Sequence, residues 1–286
     1  DMATGTGKTY TGLGAASWLL KKKGRLAVII VCPYQHLVEQ WVEDIVKFGF
    51  RPIIGYSASP QKKWKEMLKD EIIDFNLEIE DTMCFVTTNA TYSSAYVQQQ
   101  LNKLEGDILI VVDEAHNFGA TKLNKYLRTD IPYRLALSAT LERHGDDEGT
   151  EKLYKYFGNK CIKYDLERAI SEDKLTPYYY YPIIVSLSSG ELEKYQEISN
   201  KVAKMCKFDK DGKVKLSEAA KMLLIKRARI VSGAIAKVDA LKELMKKYRN
   251  DTHMLVYCGA TKPFNPDLAF FAVLHTFLKD MVFFPE

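Results

Sequence analysis

Two apolar patterns alternate along the chain. A run apolar on both faces stands at Leu26–Val31 and a further apolar run at Ile108–Val112, with shorter strand-like segments at Cys84–Thr88, ending in hydroxyls, at Tyr133–Thr140, ending in Ser-Ala-Thr, and at Pro52–Tyr56. Runs of that kind predict strands of a parallel sheet covered by helices on each side. Between them, apolar residues recur at helical spacing. Tyr10–Lys23 predicts a helix with Ala15, Leu19 and Leu20 on its apolar face, closed by Gly24. Leu37–Phe48 predicts a second, with Trp41 and Ile45 inward. Further helices are predicted over Gln61–Asp70, Tyr92–Leu104 and Lys122–Leu127, in a segment ending Leu153–Gly158, and over Asp165–Ile170. The alternation of strand and helix places the first half in the α/β class.

The second half reads differently. Tyr178–Tyr181 leads into Ile183–Leu187, and its four rings predict either alternate packing on the two sides of a strand or stacking on bases. Glu191–Lys207, Ser217–Ile235 and Lys237–Tyr248 predict long helices, and His253–Cys258 a strand. Lys226, Arg227 and Arg229 form a basic stripe that suits a solvated face or phosphate contacts.

Composition narrows the class. The 286 residues are 47% hydrophobic and 27% charged, ordinary for a globular protein of one large or two small domains. No apolar run approaches the roughly 18 residues of a membrane span. Five scattered cysteines without metal-type spacing predict buried thiols in a reducing, cytoplasmic setting. A net charge of +4 permits a polyanion partner without demanding one.

The chemistry concentrates in three places. Met2-Ala3-Thr4-Gly5-Thr6-Gly7-Lys8-Thr9 reads as a phosphate-binding loop opening a helix, although Met2 stands where the strict pattern has its first glycine. Gly5 and Gly7 permit turns that aim backbone N–H groups at one anion. Lys8 supplies a charge for the β- and γ-phosphates, and the Thr9 hydroxyl a ligand for Mg²⁺. A Gly/Thr-rich turn without nucleotide is the alternative. Second, the strand at Ile108–Val112 runs into Asp113-Glu114-Ala115-His116. Asp113 at the strand's carboxyl end suits a metal, and Glu114 suits polarising a water. The alternative is an acidic helix start. Third, Ser138-Ala139-Thr140 ends a short strand, where Ser138 and Thr140 can hydrogen-bond to His116 and relay the state of the γ-phosphate. Lys21–Lys23 complement a helix dipole or contact phosphate. The Asp209-Lys210-Asp211-Gly212 turn lacks the remaining ligands of a calcium loop.

Together these residues resemble the superfamily 2 helicases and translocases of the DEAH-box type. Met2–Thr9 matches motif I, Pro33–Leu37 with Gln40-Trp41 looks like motif Ia, and Thr87-Thr88 falls where motif Ib contacts lie. Asp113–His116 matches motif II, and Ser138–Thr140 motif III. The sequence Leu137-Ser138-Ala139-Thr140-Leu141-Glu142-Arg143, with Leu141 where proline is common, is similar to the DNA-acting branch that contains the type III restriction enzyme helicase subunits. The resemblance implies a RecA-like P-loop NTPase domain over residues 1–160, a linker over 161–182, and the start of a second RecA-like domain over 183–286, with His253–Thr261 resembling motif IV. It implies ATP and Mg²⁺ as cofactors. Phosphate binding then falls to Thr4, Gly5, Thr6, Gly7, Lys8 and Thr9, metal binding to Thr9 and Asp113, and catalysis to Glu114, Asp113 and Lys8. His116, Ser138 and Thr140 would couple the two, and Pro33, Gln35, Thr87 and Thr88 would touch nucleic acid. The polymer implied is DNA, with RNA as the alternative and nuclease or methyltransferase subunits as partners. A catalytically silent, nucleotide-gated scaffold is the rival from another class. No strand precedes the loop, motifs V and VI are missing, and no arginine follows Arg249. The chain therefore reads as a fragment whose own ATP turnover is slow.

Overall fold

The computed structural model describes residues 1–208, 214–249, 251–254 and 256, which cluster into two compact units divided between Tyr178 and Tyr179. The first unit is built on a five-stranded, wholly parallel sheet. Its strands are β1 (Leu26–Cys32), β2 (Pro52–Gly55), β3 (Thr82–Thr88), β4 (Ile108–Asp113) and β5 (Tyr133–Leu137), in spatial order β2-β3-β1-β4-β5.

The apolar-on-both-faces runs have a direct physical outcome. In β1, Ala27, Ile29 and Val31 enter the core on one side, and Leu26, Val28, Ile30 and Cys32 enter the core on the other. Alternate side chains thus fill two separate cores. Helices α1 (Lys8–Lys23) and α2 (Gln35–Lys47) cover one face through Leu13, Ala16, Leu19, Val38, Trp41 and Ile45. Helix α3 (Trp64–Asn76), α4 (Asn89–Tyr92) and α5 (Ala95–Leu101) cover the other, as does α6 (Asp147–Phe157) through Leu153. After β1 the chain leaves to the α1/α2 face. After β4, Ala115 and Phe118 carry it to the opposite face. Two neighbouring strands whose connections part in this way open a crevice at their carboxyl ends, the usual ligand position in open α/β sheets.

Close packing imposes one steric test. Gly55 ends β2 against the ring of Phe85, and a Cβ there would overlap the ring edge, with Trp64 also within 3.2 Å. All three are buried in the α3 face. Gly55→Ala is expected to destabilise the first unit by about 1–3 kcal/mol, read as a lowered denaturation midpoint. An unchanged midpoint would show that Phe85 has room to move.

Several local expectations are corrected. The buried face of α1 is Gly12, Leu13, Ala16 and Leu19, with Leu20 packed beside it, so of the expected apolar face Ala15 alone is displaced and exposed. The helix expected at Tyr92–Leu104 divides into α4 and α5, because Ser94 accepts a hydrogen bond from the Val97 N–H and starts a new helix. Lys122–Leu127 forms only a 3₁₀ turn at Asn124–Tyr126, too short a segment to meet the cost of helix nucleation. Of the cysteines, Cys32 and Cys84 are buried, but Cys161 is exposed. Among the described residues, no helix is long and apolar enough to cross a membrane.

Residues 161–178 belong to the first unit. Tyr164 exchanges backbone hydrogen bonds with Asp1 (2.9 Å) and Ala3 (2.8 Å), and Ala169 of α7 (Leu166–Ser171) is fully buried. Met2 donates to the Ser138 carbonyl at 2.9 Å, so the lead-in to the loop lies beside the end of β5.

The second unit is helical where described. Helix α8 (Ser189–Met205) starts with a reciprocal capping box between Ser188 and Glu191 and packs Ile198 and Val202 against Ile230 of α9 (Glu218–Ser232). Arg227 of the basic stripe bonds Ser199 and lies over Tyr195, so it serves this packing. A two-residue hairpin (Lys207–Phe208 with Val214–Lys215) precedes α9, and α10 (Ile235–Lys247) follows it. No strand forms at Ile183–Leu187, and Tyr178–Tyr181 are exposed outside any helix or strand. β propensity needs a neighbouring strand to satisfy it, and none pairs with this segment among the described residues. The expected strand at His253–Cys258 and the segment beyond it fall largely outside the described residues.

Candidate nucleotide-binding site

The loop before α1 is shaped by its glycines. Gly5 (φ 82°) and Gly7 (φ 88°) both occupy the left-handed region. Gly7 is the N-cap of α1 and supplies no side-chain acceptor, so the first-turn N–H groups remain available to an anion. The Thr6 hydroxyl donates to the Ala3 carbonyl at 2.6 Å and closes the turn, while Thr4 is exposed. The Thr9 hydroxyl makes no hydrogen bond among the described residues.

Lys8 points from the first turn of α1 toward the end of β4. Its Nζ lies 3.1 Å from Glu114 Oε1, with side-chain exposures of only 11% and 27%. Glu114 itself stands at φ 46°, ψ 50°, a left-handed conformation that costs a non-glycine residue about 1 kcal/mol or more. Such strain is characteristic of functional positions, and here it turns the carboxylate back over the loop. The other Glu114 oxygen is 3.4 Å from His116 Nδ1. The same ring nitrogen is 3.2 Å from Ser138 Oγ, which donates to the Thr140 carbonyl at 2.6 Å. Thr140 in turn donates to Glu142 at 2.8 Å. Hydrogen bonds from Tyr154, Lys160 and Thr140 hold the Glu142 carboxyl down at about 2.

Asp113 is buried at the carboxyl end of β4. Its Oδ1 accepts the Glu114 backbone N–H at 2.9 Å, and its Oδ2 accepts the Trp41 indole N–H at 3.0 Å. Burial pushes its pKa up, opposed chiefly by the Trp41 hydrogen bond. A carboxylate oxygen and an uncommitted hydroxyl are the hard oxygen donors that Mg²⁺ takes alongside water and phosphate. Asp113 and Thr9 therefore suit that ion.

The residues expected to touch nucleic acid share the same sheet edge, since Val31 pairs with Thr87 and with Val112, and Cys32 with Thr88. Their side chains differ in availability. Gln35 is exposed, with its amide 3.3 Å from Ser57 Oγ, and Pro33 is half-buried. Thr87 is fully buried and donates to the Gly55 carbonyl at 2.5 Å, and Thr88 caps α4 through the Thr91 N–H. Both threonine hydroxyls thus serve the fold. Beside them, Tyr34 and His36 stack at 5.6 Å between ring centres on the exposed start of α2. Trp41, expected on the inner face of α2 and within the motif Ia resemblance, is a participant in the site that was given no role there. Its position on the inner face of α2 was legible, but the direction of its N–H was not.

A family model described as "Type III restriction enzyme, res subunit" matches residues 1–143, half of the chain. Two solved structures are similar at low identity. A nuclease-deletion mutant of the Type ISP restriction-modification enzyme LlaGI, in complex with a DNA substrate mimic, shares 18% identity with a TM-score of 0.47, covering 71% of this chain and 20% of that one. The Pyrococcus furiosus Hef helicase domain shares 17% identity with a TM-score of 0.45, covering 87% of this chain and 50% of that one. The chain thus spans half or less of the length of either.

Proposed function

The chain belongs to the type III restriction enzyme res-subunit family, within the superfamily 2 helicases, and from that premise we propose that its first unit binds ATP with Mg²⁺ and drives movement on DNA. The observation that supports this most is the meeting of Lys8 and Glu114 at 3.1 Å, with Asp113 one residue away. It brings the loop's cation, a water-orienting carboxylate and a metal-binding carboxylate to one crevice. Gly5, Thr6, Gly7 and the first turn of α1 would cradle the phosphates with backbone N–H groups, and Lys8 would move from Glu114 to the β- and γ-oxygens. Thr9 and Asp113 would hold Mg²⁺, which spreads the negative charge of the transferring phosphate. Glu114, released from Lys8, would orient the attacking water. His116, Ser138 and Thr140 would carry the change at Glu114 toward the 141–146 segment. DNA would lie along the edge that exposes Tyr34, Gln35 and His36. This is a surface of ring faces and amides suited to sugar-phosphate and stacking contacts.

ATP binding by calorimetric titration, together with ATP hydrolysis with no nucleic acid, duplex DNA, single-stranded DNA and RNA, tests the proposal. Stimulation by DNA is expected. Preferential stimulation by RNA would reassign the polymer, and failure to bind ATP would overturn the reading as a whole.

A further inference from the structure

Building on the nucleotide-site reading, we infer that Trp41 is a positioning residue for Mg²⁺: its indole N–H holds the Asp113 carboxylate in the orientation that receives the ion. Trp41 is 2% exposed on the inner face of α2. Its ring is fixed from several sides. A Cβ on Gly12 of α1 would come within 3.1 Å of the far end of the Trp41 ring, and within 3.1 Å of Leu137 and 3.5 Å of Val111. The absence of a side chain at Gly12 thus allows the indole, α1 and the sheet to approach this closely. A buried tryptophan needs an acceptor for its one N–H, and here the acceptor is Asp113 Oδ2 at 3.0 Å.

The consequence lies in the geometry of the carboxylate. Asp113 receives one N–H on each oxygen, from Trp41 on Oδ2 and from the Glu114 backbone on Oδ1. Two donors from separate elements fix the carboxylate plane, while each oxygen keeps a lone pair for a metal or its water. The Glu114 N–H belongs to the adjoining backbone and moves with that of Asp113. Trp41 is 72 residues distant and anchored in a different helix, so it supplies the independent constraint. Groups that orient a metal ligand in this way typically change metal affinity by about 10–100-fold when removed. Packing of the ring does not by itself account for an N–H directed at the carboxylate.

The test separates the N–H from the ring. Binding of a fluorescent ADP is titrated with Mg²⁺ for the wild type, for Trp41→Phe, and for protein with Trp41 replaced by 3-benzothienylalanine, which keeps the bicyclic shape and exchanges N–H for sulfur. Both replacements are expected to raise the Mg²⁺ concentration at half-effect by about 10–100-fold, with ADP affinity in EDTA unchanged. Wild-type Mg²⁺ dependence in the benzothienyl protein would overturn the inference, even if Trp41→Phe were impaired, because ring volume would then be the cause. A wild-type protein that binds ADP with no Mg²⁺ dependence would overturn the metal assignment of Asp113. A wild type that binds no ADP would overturn the nucleotide-site reading beneath both.

Discussion

Lys8→Ala is expected to weaken nucleotide binding by about 30- to 5,000-fold, the equivalent of about 2–5 kcal/mol for truncating one side of a shielded, hydrogen-bonded charge pair. The magnitude follows from where the ammonium sits. Its side chain is 11% exposed, so its attraction to phosphate is less screened than that of a surface lysine. The loop's other contribution is a set of backbone N–H groups, whose partial charges fix position but do not neutralise a triphosphate. In the nucleotide-free protein the substitution removes only the contact with Glu114. That pair is partly exposed, so the loss in folding stability should be about 1 kcal/mol or less. Calorimetric titration with ATP and Mg²⁺, alongside thermal unfolding of the free protein, separates the two effects. Unchanged affinity would remove the loop from the site.

The sheet was legible because burial on both faces leaves an unmistakable pattern. β1 carries apolar residues at every position and β4 does so until Asp113, the near-continuous apolar run of a parallel strand covered by helices on both faces. The loop was legible for a different reason. Gly5 and Gly7 stand at φ values that other residues avoid, and Lys8 follows at once. What failed were features decided by distant partners. Tyr178–Tyr181 has the composition of a strand, yet strand formation depends on a neighbour that its own residues do not specify. The Thr87 hydroxyl looked like a ligand contact, but the Gly55 carbonyl at the end of the adjacent β2 takes its hydrogen. Trp41 was correctly an inner-face residue of α2, and nothing in local periodicity reveals that its one polar atom meets Asp113. Apolar pattern reports which side is buried, whereas the pairing of buried polar atoms depends on register between elements.

Glu114→Gln should separate binding from turnover in the opposite sense to Lys8→Ala. Without nucleotide, Glu114 holds Lys8 at 3.1 Å, so an incoming triphosphate must compete with a carboxylate for the same ammonium. A neutral amide competes less. Nucleotide affinity is therefore expected to stay constant or to rise. Hydrolysis is expected to fall by about 10²–10⁴-fold, the usual contribution of a positioned general base, because Gln keeps the shape but cannot take a proton. The left-handed backbone at position 114 and the Asp113 contacts do not involve the Glu114 side chain, so the fold and metal carboxylate should persist. Single-turnover hydrolysis with protein in excess, with and without DNA, reads slow rates directly. Wild-type turnover would refute the water-orienting role of Glu114. A loss of affinity would refute the competition for Lys8 and point instead to Glu114 as a part of the binding site.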